Sequence, residues 1–591
     1  MKRISLDGQW DFVADLDPKY HLDTRIYPAP PYADPNADRR HWQKVIVPGV
    51  WQKYAERYDI YEGVCWFVRE FKVPVYPKGA QARLRFGAVN YAARVFLNGI
   101  ELGGHEGGYT EFTLDATAAL HSGTNHLAVC VDNRATSTKW PPCLGYFNYG
   151  GIHREVTLEI IAAPSLDDIA LIAEPDPAGG RLQVMGRVLR FEPQLSVRVV
   201  CEEQQADAQI NPDGSFTCAL DVRGVRPWSP QDPALYPVVV GLYQGEECLD
   251  HVALSCGFRK VEAVAGRIYL NGQPIRLKGI CYVYDSPIHG LVMTQEQVEM
   301  DVGLMKELGC NAVRCHYPQH PRFYEACDRQ GLMVWIEPPV YCLQPRTEER
   351  RTPFADPAWQ ALAEQTLTEA IRVARNHPSV CIYGVGNECN TDHPEAEPFF
   401  RQLVAHVRAQ DKTRLVSYAA LYGLVGPVGG MVDVLGINSY WGWYDKIFSQ
   451  EPAPEDGRGS CPQSCALEPI DLTEMRRMLD EVLAANPNVA LLLTEFGADS
   501  VPGYHSRARD LWSEEYQADL LQAIFRLVED YPQIVGTFPF CFSDYRDPSK
   551  VPNGYWSELN LKGVVSYERR KKKAFGALHD IYVGGNKKLG R

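Results

Sequence analysis

Asn376-His377-Pro378-Ser379-Val380-Cys381-Ile382-Tyr383-Gly384-Val385-Gly386-Asn387-Glu388 is the stretch whose reading decides the fold. After the turn-forming Asn-His-Pro, Val380 to Val385 forms a short apolar run. Its length and aliphatic, β-branched character are those of a parallel strand buried on both faces. The run ends on an amide and an acid. A second run, Val489 to Leu493, ends in the same way in Thr494-Glu495-Phe496-Gly497. Both acids stand where a barrel of parallel strands opens into its loop-built mouth and carries its reactive groups. A lone Glu at a strand end is ordinarily a solvated residue, but two in matching settings argue for a site.

Reading outward from these runs, the grammar after Asn271-Gly272 is strand, helix, strand. Arg276 to Ile280, Ala312 to Cys315, Leu332 to Glu337, Val380 to Glu388, Leu415 to Tyr418, Val432 to Tyr440, Ala490 to Glu495 and Val535 to Phe542 are the strand segments. Amphipathic stretches such as Gln295 to Leu308 and Ala361 to Ala374 lie between them. Eight such units predict a C-terminal (β/α)8 TIM barrel over residues 263–591, with Glu388 closing the fourth strand and Glu495 the seventh. The Pro-, Gly- and Ser-rich segment Glu451 to Glu468 follows the sixth strand and reads as a loop at the same mouth. Upstream, helical periodicity is missing. Residues 1–165 alternate short strands with turns, for example Ala82 to Phe86, Ala93 to Leu97 before Asn98-Gly99, and His126 to Val131, which predicts a jelly-roll-like β-sandwich. Residues 166–262 repeat the pattern (Ile169 to Ile172, Arg181 to Val188, Val197 to Cys201, Val238 to Leu242) with the length and strand spacing of an immunoglobulin-like sandwich.

A chain of 591 residues exceeds one core, so several domains are expected on size alone. The net charge of −14 argues against nucleic acid or an anionic membrane as a partner. The basic run Arg569 to Lys573 then reads as a solvated helix face. No apolar run approaches the roughly 20 residues that span a bilayer. Seventeen cysteines without a repeated spacing, and a start that does not resemble a secretory signal, point to free thiols and a cytoplasmic location. Cys315-His316 and His320 lack a second ligand pair with zinc spacing, and there is no phosphate-binding glycine loop, so neither metal nor cofactor is expected. A homo-oligomer is compatible with the sequence, which carries no signal for or against it.

Two acids on different strands of one barrel supply the proton donor and the nucleophile or base that glycoside cleavage requires. The surrounding motifs sharpen this. Leu6-Asp7-Gly8-Gln9-Trp10, Val47-Pro48-Gly49-Val50-Trp51 and Phe147-Asn148-Tyr149-Gly150-Gly151-Ile152-His153-Arg154, together with the two acid-bearing runs, resemble glycoside hydrolase family 2 along nearly the whole chain. Asn438 to Tyr444, Asp510 to Gln517, and Asn560-Leu561-Lys562-Gly563 with Glu568-Arg569 and Lys573-Ala574-Phe575 resemble its β-glucuronidase branch. The resemblance implies an exo-acting, metal-independent β-uronidase of the retaining kind, with Glu388 as acid/base and Glu495 as nucleophile. Retention would place the carboxyls roughly 5–5.5 Å apart. It further implies that Asn387 meets the sugar 2-hydroxyl, that Tyr440 orients Glu495, and that His316, Tyr444, Phe540 and Trp556 line the substrate pocket.

The Asn560-x-Lys562 pair resembles the branch's uronate-recognition motif, and an ammonium beside an amide donor suits a carboxylate. A second copy at Asn586-Lys587-Lys588 has no barrel element after it and reads as a decoy. Departures from the branch lie where the 3- and 4-hydroxyls would be read. Gly145 stands in place of an Asp, Tyr282-Val283-Tyr284 in place of an Arg-His-Glu run, Phe540 in place of a Trp and Trp556 in place of an Arg. The expectation is therefore a preference for galacturonides, with the phenols of Tyr282 or Tyr284 meeting an axial 4-hydroxyl. The short connection from Glu337 to Asn376 suggests an open aglycone side. The alternatives are a β-glucuronidase proper, a neutral-sugar β-galactosidase or β-mannosidase of the same family, and a catalytically silent carbohydrate-binding protein.

Overall fold

The computed structural model describes residues 1–15, 31–134, 139, 145–342, 353–448, 470–550 and 558–584. The Glu451 to Glu468 segment, Trp556 and the Asn586 to Lys588 copy of the basic motif lie outside the described residues.

The N-terminal sandwich packs a four-stranded sheet on a six-stranded one, both antiparallel. Strand Gln81–Phe86 shows how the sequence encodes this. Ala82, Leu84 and Phe86 enter the core while Gln81, Arg83 and Arg85 face outward, the period of two that a half-buried strand imposes. Ala92–Leu97 and Ile100–Glu106 form the hairpin signalled by Asn98-Gly99, and both turn residues have positive φ (53° and 81°), as a two-residue primed turn demands. The second sandwich has three strands (Ser165–Asp176, Gly179–Leu189, Ser215–Arg223) facing four (Leu195–Cys201, Gln204–Ala208, Tyr236–Gln244, Glu247–Cys256), an immunoglobulin-like arrangement. Arg83 of the first sandwich reaches Asp167 of the second through two bonds of 2.9 and 2.6 Å.

The largest sheet, of nine strands, is parallel throughout, and its two edges are two pieces of the same stretch. Leu277–Lys278 pairs with Ile534–Thr537, and Cys281–Val283 pairs with Ala312–His316, so the sheet closes into an eight-stranded barrel. The first strand was expected as one piece, Arg276 to Ile280. It breaks at Gly279, where a Cβ would stand 2.2 Å from the Phe538 ring. The eighth was expected to run from Val535 to Phe542, but its ladder ends at Thr537, two residues before Pro539, which has no N–H to donate. Helix Pro357–Ala374 starts four residues earlier than its apolar period suggested, because Asp356 caps it through the Ala358 amide and Pro357 opens it.

The basic run is the clearest correction outside the site. Arg569 and Lys572 are buried, not solvated: Arg569 is bonded to Asp301 and Lys572 to Asp544. Only Lys573 enters the helix Lys573–Val583.

Candidate active site

Glu388 directly follows strand Val380–Asn387 and holds a φ of +52°, which turns the chain out of the ladder. Its Oε1 accepts from Asn438 Nδ2 at 2.7 Å, and the Cys342 thiol lies 3.7 Å from Oε2. Glu495 ends strand Ala490–Glu495. Its Oε1 accepts from Arg314 Nη1 at 2.9 Å and its Oε2 from the Tyr440 hydroxyl at 2.6 Å, with His316 Nε2 3.6 Å away. Asn387 connects the two acids, since its Oδ1 accepts from both Arg314 Nη2 and Asn438 Nδ2 at 2.9 Å. With both bonds on the oxygen, the amide orientation is fixed and its N–H groups are the donors left for a ligand. Asn438 is oriented in turn by the Thr494 hydroxyl at 2.8 Å, and Arg314 is anchored by two bonds of 2.6 and 3.0 Å to Glu337.

The same side chain, twice, meets opposite fields. Burial and then the charge of Glu495 push the Glu388 carboxyl up to about 8, against the pull of the Asn438 amide. Burial also opposes the charge on Glu495, but His316, Arg314 and Tyr440 outweigh it and hold this carboxyl well below the usual range. At neutral pH one acid keeps its proton and the other is ionised, the division of labour that acid–base chemistry needs.

Beside Tyr440 the pocket becomes basic. The Tyr440 and Tyr444 rings are 5.1 Å apart, and Lys562 Nζ sits 4.7 Å above the Tyr444 ring with a 3.0 Å bond to its hydroxyl. Lys562 is buried and forms an ion pair with Asp499. Asp499 also accepts from Trp443 Nε1 at 2.8 Å and the Leu561 amide at 2.9 Å. Burial disfavours both charges of this pair, yet each stabilises the other, so the Lys562 ammonium is held above its ordinary range and the Asp499 carboxyl below. Asn560 donates to the Tyr545 hydroxyl at 3.0 Å and accepts from the Lys562 amide. A second ammonium, Lys550, donates to the Tyr444 hydroxyl at 2.7 Å.

The expected phenols at the other wall are spent elsewhere. Tyr282 and Tyr284 belong to the core between barrel and helices, whereas Cys281 and Val283 face the barrel interior. The Tyr282 hydroxyl donates to Asp301 and the Tyr284 hydroxyl to the Val292 carbonyl, each at 2.8 Å. Strand alternation turns Val283 to the barrel interior and Tyr282 away from it, while the Tyr284 ring edges the cleft beside His316 with its hydroxyl already bonded to Val292. The wall is built instead from Phe540, whose ring centroid is 6.0 Å from His316, and from Tyr545 and Tyr146, which stack at 6.1 Å. Tyr146 is supplied by the first sandwich and follows Gly145, where an added Cβ would stand 3.4 Å from the Tyr341 hydroxyl. A narrow cleft with a cavity volume of about 30 Å³ opens beside His316 between sandwich and barrel, edged by Tyr146, Val283, Tyr284 and Tyr545. Both ring nitrogens of His316 are buried without a hydrogen-bond partner, which suits a ligand hydroxyl. Cys315 is buried, and His320 caps helix Pro321–Gln330 while bonding Glu155 at 2.7 Å. Among the described residues no cluster of three or more His, Cys, Asp or Glu could hold a metal ion.

Of the residues expected from the sequence, Glu388, Glu495, Asn387, His316, Tyr440, Tyr444, Phe540, Asn560 and Lys562 lie at one mouth. Sequence reasoning missed Arg314, Asn438, Asp499, Lys550 and Tyr545 as members. A signal existed for Arg314: a charge two residues before His316, in a strand otherwise apolar, must face the same side.

A parallel barrel whose mouth holds two buried carboxyls of opposite protonation, flanked by sandwich-borne aromatics, is that of a glycoside hydrolase. Comparison with known proteins makes this specific: the chain belongs to glycoside hydrolase family 2. It matches the family's sugar binding domain over residues 4–161, a second family 2 region over 181–259, and its TIM barrel domain over 261–584. A β-glucuronidase of Paenibacillus borealis is 28% identical over 550 residues, covering 87% of this chain and 86% of that one. Among solved structures, a β-galacturonidase from Eisenbergiella tayi bound to galacturonate superposes with a TM-score of 0.81 at 25% identity, covering 99% and 97% of the two chains. The Bifidobacterium dentium β-glucuronidase complexed with coumarin-3-O-glucuronide gives 0.84 at 25%, covering 98% and 97%.

Proposed function

We propose that this enzyme is a retaining exo-β-uronidase acting on terminal β-D-galacturonides and β-D-glucuronides. Glu388 protonates the departing oxygen and later activates water. Glu495, ionised and oriented by Arg314 and Tyr440, forms the glycosyl-enzyme. The carrying observation is the single bonded frame that joins the two carboxyls through Asn387, Arg314 and Asn438, with burial and the Glu495 charge favouring a proton on Glu388 and Arg314, His316 and Tyr440 favouring ionised Glu495. Asn387 donates to the 2-hydroxyl, and Asn560 with Lys562 receives the uronate. In this reading the chain divides near residues 165 and 262, and the two sandwiches support the barrel.

Ring chemistry supports the galacturonide side of the assignment. The 4-hydroxyl is the neighbour of the C5 carboxylate, so groups flanking Asn560 meet it. Those groups are the phenols Tyr545 and Tyr146, and they take over the role first expected of Tyr282 and Tyr284. A phenol can donate or accept, so it can meet an axial hydroxyl. A neutral-hexoside reading rests on one observation, the Lys562–Asp499 ion pair, which leaves that pair without net charge.

A panel of p-nitrophenyl β-glycosides separates the readings: glucuronide, galacturonide, galactoside and mannoside. The expected result is cleavage of both uronides, with galacturonide at least equal to glucuronide. A glucuronide preference of about a hundredfold, the discrimination that unpaired polar groups readily produce, would remove the galacturonide assignment. Activity confined to neutral hexosides would remove the uronidase assignment.

A further inference from the structure

The end of the pocket assigned to the uronate holds two ammonium groups, Lys562 and Lys550, converging on one phenol oxygen of Tyr444 at 3.0 and 2.7 Å. They are not equivalent. Lys562 is already paired with the buried, ionised Asp499. A substrate carboxylate entering against Lys562 alone would leave two anions facing one cation in a desolvated place, which is strongly unfavourable. Lys550 is half-buried, and among the described residues no carboxylate lies within 4 Å of its ammonium. Its charge reaches Asp499 only from farther off and helps Lys562 to hold that carboxyl low, so two ammoniums share one carboxylate and one positive charge is left over.

The turn that carries Lys550 is built into the same unit as the Asn560 side chain. Asp547 accepts from the Ser549 amide at 3.1 Å and the Ser549 hydroxyl at 2.6 Å through one oxygen, and from Asn560 Nδ2 at 3.3 Å through the other. The Lys550 amide closes the turn on the Asp547 carbonyl at 3.1 Å. Lys550 Nζ then lies 5.1 Å from the centre of the Tyr444 ring, and Tyr444 packs on Tyr440, which bonds Glu495. This cation is one aromatic ring removed from the nucleophile, on the side where a bound sugar carries C6.

We propose that Lys550 is a specificity-determining residue that supplies the positive charge balancing the substrate carboxylate, while Lys562, fixed by Asp499, orients it as a rigid donor. This rests on the uronidase reading. Selectivity for an acid over a neutral hexose then depends on a residue outside the Asn-x-Lys motif.

The test compares Lys550→Gln and Lys550→Arg with the unaltered enzyme on p-nitrophenyl β-galacturonide, β-glucuronide and β-galactoside, at low and high salt. Glutamine keeps a donor for Tyr444 but carries no charge. Lys550→Gln is expected to lower kcat/KM on uronides by about thirtyfold or more, chiefly through KM. The salt dependence of that KM is expected to weaken, and Lys550→Arg to recover most of the loss. Lys550→Gln within about threefold of the unaltered enzyme on uronides would overturn this proposal alone, as would an equal fall for Lys550→Arg. An unaltered enzyme that cleaves the galactoside but neither uronide overturns the uronidase reading, and this proposal with it.

Discussion

Glu388 and Glu495 are chemically one group in two environments, and the difference dictates how each responds to replacement. In the proposed double displacement, Glu495→Gln leaves no carboxylate to form the glycosyl-enzyme, so turnover should disappear for every leaving group. Glu388→Gln removes a proton donor, so the loss should follow leaving-group basicity: about 10²- to 10⁴-fold for an alkyl glycoside and much less for an aryl one. Equal losses on both would take Glu388 out of the acid role. Protonation adds a signature. In the proposed acid role Glu388 acts in its protonated form, and burial with the Glu495 charge pushes its carboxyl up to about 8, so activity should hold through neutral pH and fall as pH rises through that value. Glu495, held low, stays ionised across this range and adds no limb there. A pH–rate profile of Glu388→Gln on an aryl substrate should lack the alkaline fall. Both acids could be found in the sequence because each terminates an apolar run. Arg314 and Asn438 could not be identified as partners, because their bonds to Glu495 and Glu388 join residues 181 and 50 positions apart.

At the scale of elements, the Asn560–Lys562 segment depends on a clamp behind it. Lys572 Nζ donates at 2.9 Å to the Ser500 and Leu561 carbonyls and at 2.8 Å to Asp544, whose same oxygen accepts from the Gly563 amide. Gln517 bonds the Lys562 and Gly563 carbonyls at 3.1 Å. Lys572→Met would leave Asp544 buried without its cation and should cost about 3–5 kcal/mol in urea unfolding. It should also impair uronide turnover, since the segment bearing Lys562 loses its backing. A change below about 1 kcal/mol would mean that the buried pair does not hold the segment. The motif was legible because Gly563 follows it, at a place where a Cβ would lie 2.2 Å from the Asp544 amide nitrogen. The clamp was not, since a run of basic residues looks the same whether its members face solvent or are buried one by one against single acids. Strand alternation also turns Tyr282 away from the mouth, and the Tyr284 hydroxyl, though its ring edges the cleft, is spent on the Val292 carbonyl. Composition supplies phenols, but the parity of the strand decides which side they face.

For the whole molecule, the order of two sandwiches and a barrel was legible in strand spacing, but the bolts between them were not, because they join residues far apart in the chain, some as side-chain pairs such as Arg83–Asp167 and two as single arginines reaching backbone carbonyls. Arg259, at the end of the second sandwich, donates to the Pro378, Val380 and Thr413 carbonyls, beneath the start of the strand that Glu388 follows. Arg154 of the first sandwich donates to its own Tyr109 carbonyl at 2.9 Å and to the Pro318 carbonyl at 2.7 Å, two residues beyond His316. Both are buried and both contribute stability, since a charged donor to a carbonyl is worth about 1.5–3 kcal/mol. Their positions differ: Arg259 grips the closed end of the barrel, while Arg154 grips the mouth, on the sandwich that supplies Tyr146 and Phe147 to the cavity wall. Arg259→Met should therefore lower the melting temperature while leaving kcat/KM on uronides within about twofold. Arg154→Met should lower the melting temperature and also reduce kcat/KM by about 10- to 100-fold, the scale on which small displacements of positioning groups act. If both variants lose stability and neither loses activity, the first sandwich is a brace only, and the wall it lends to the cavity plays no part in holding the sugar.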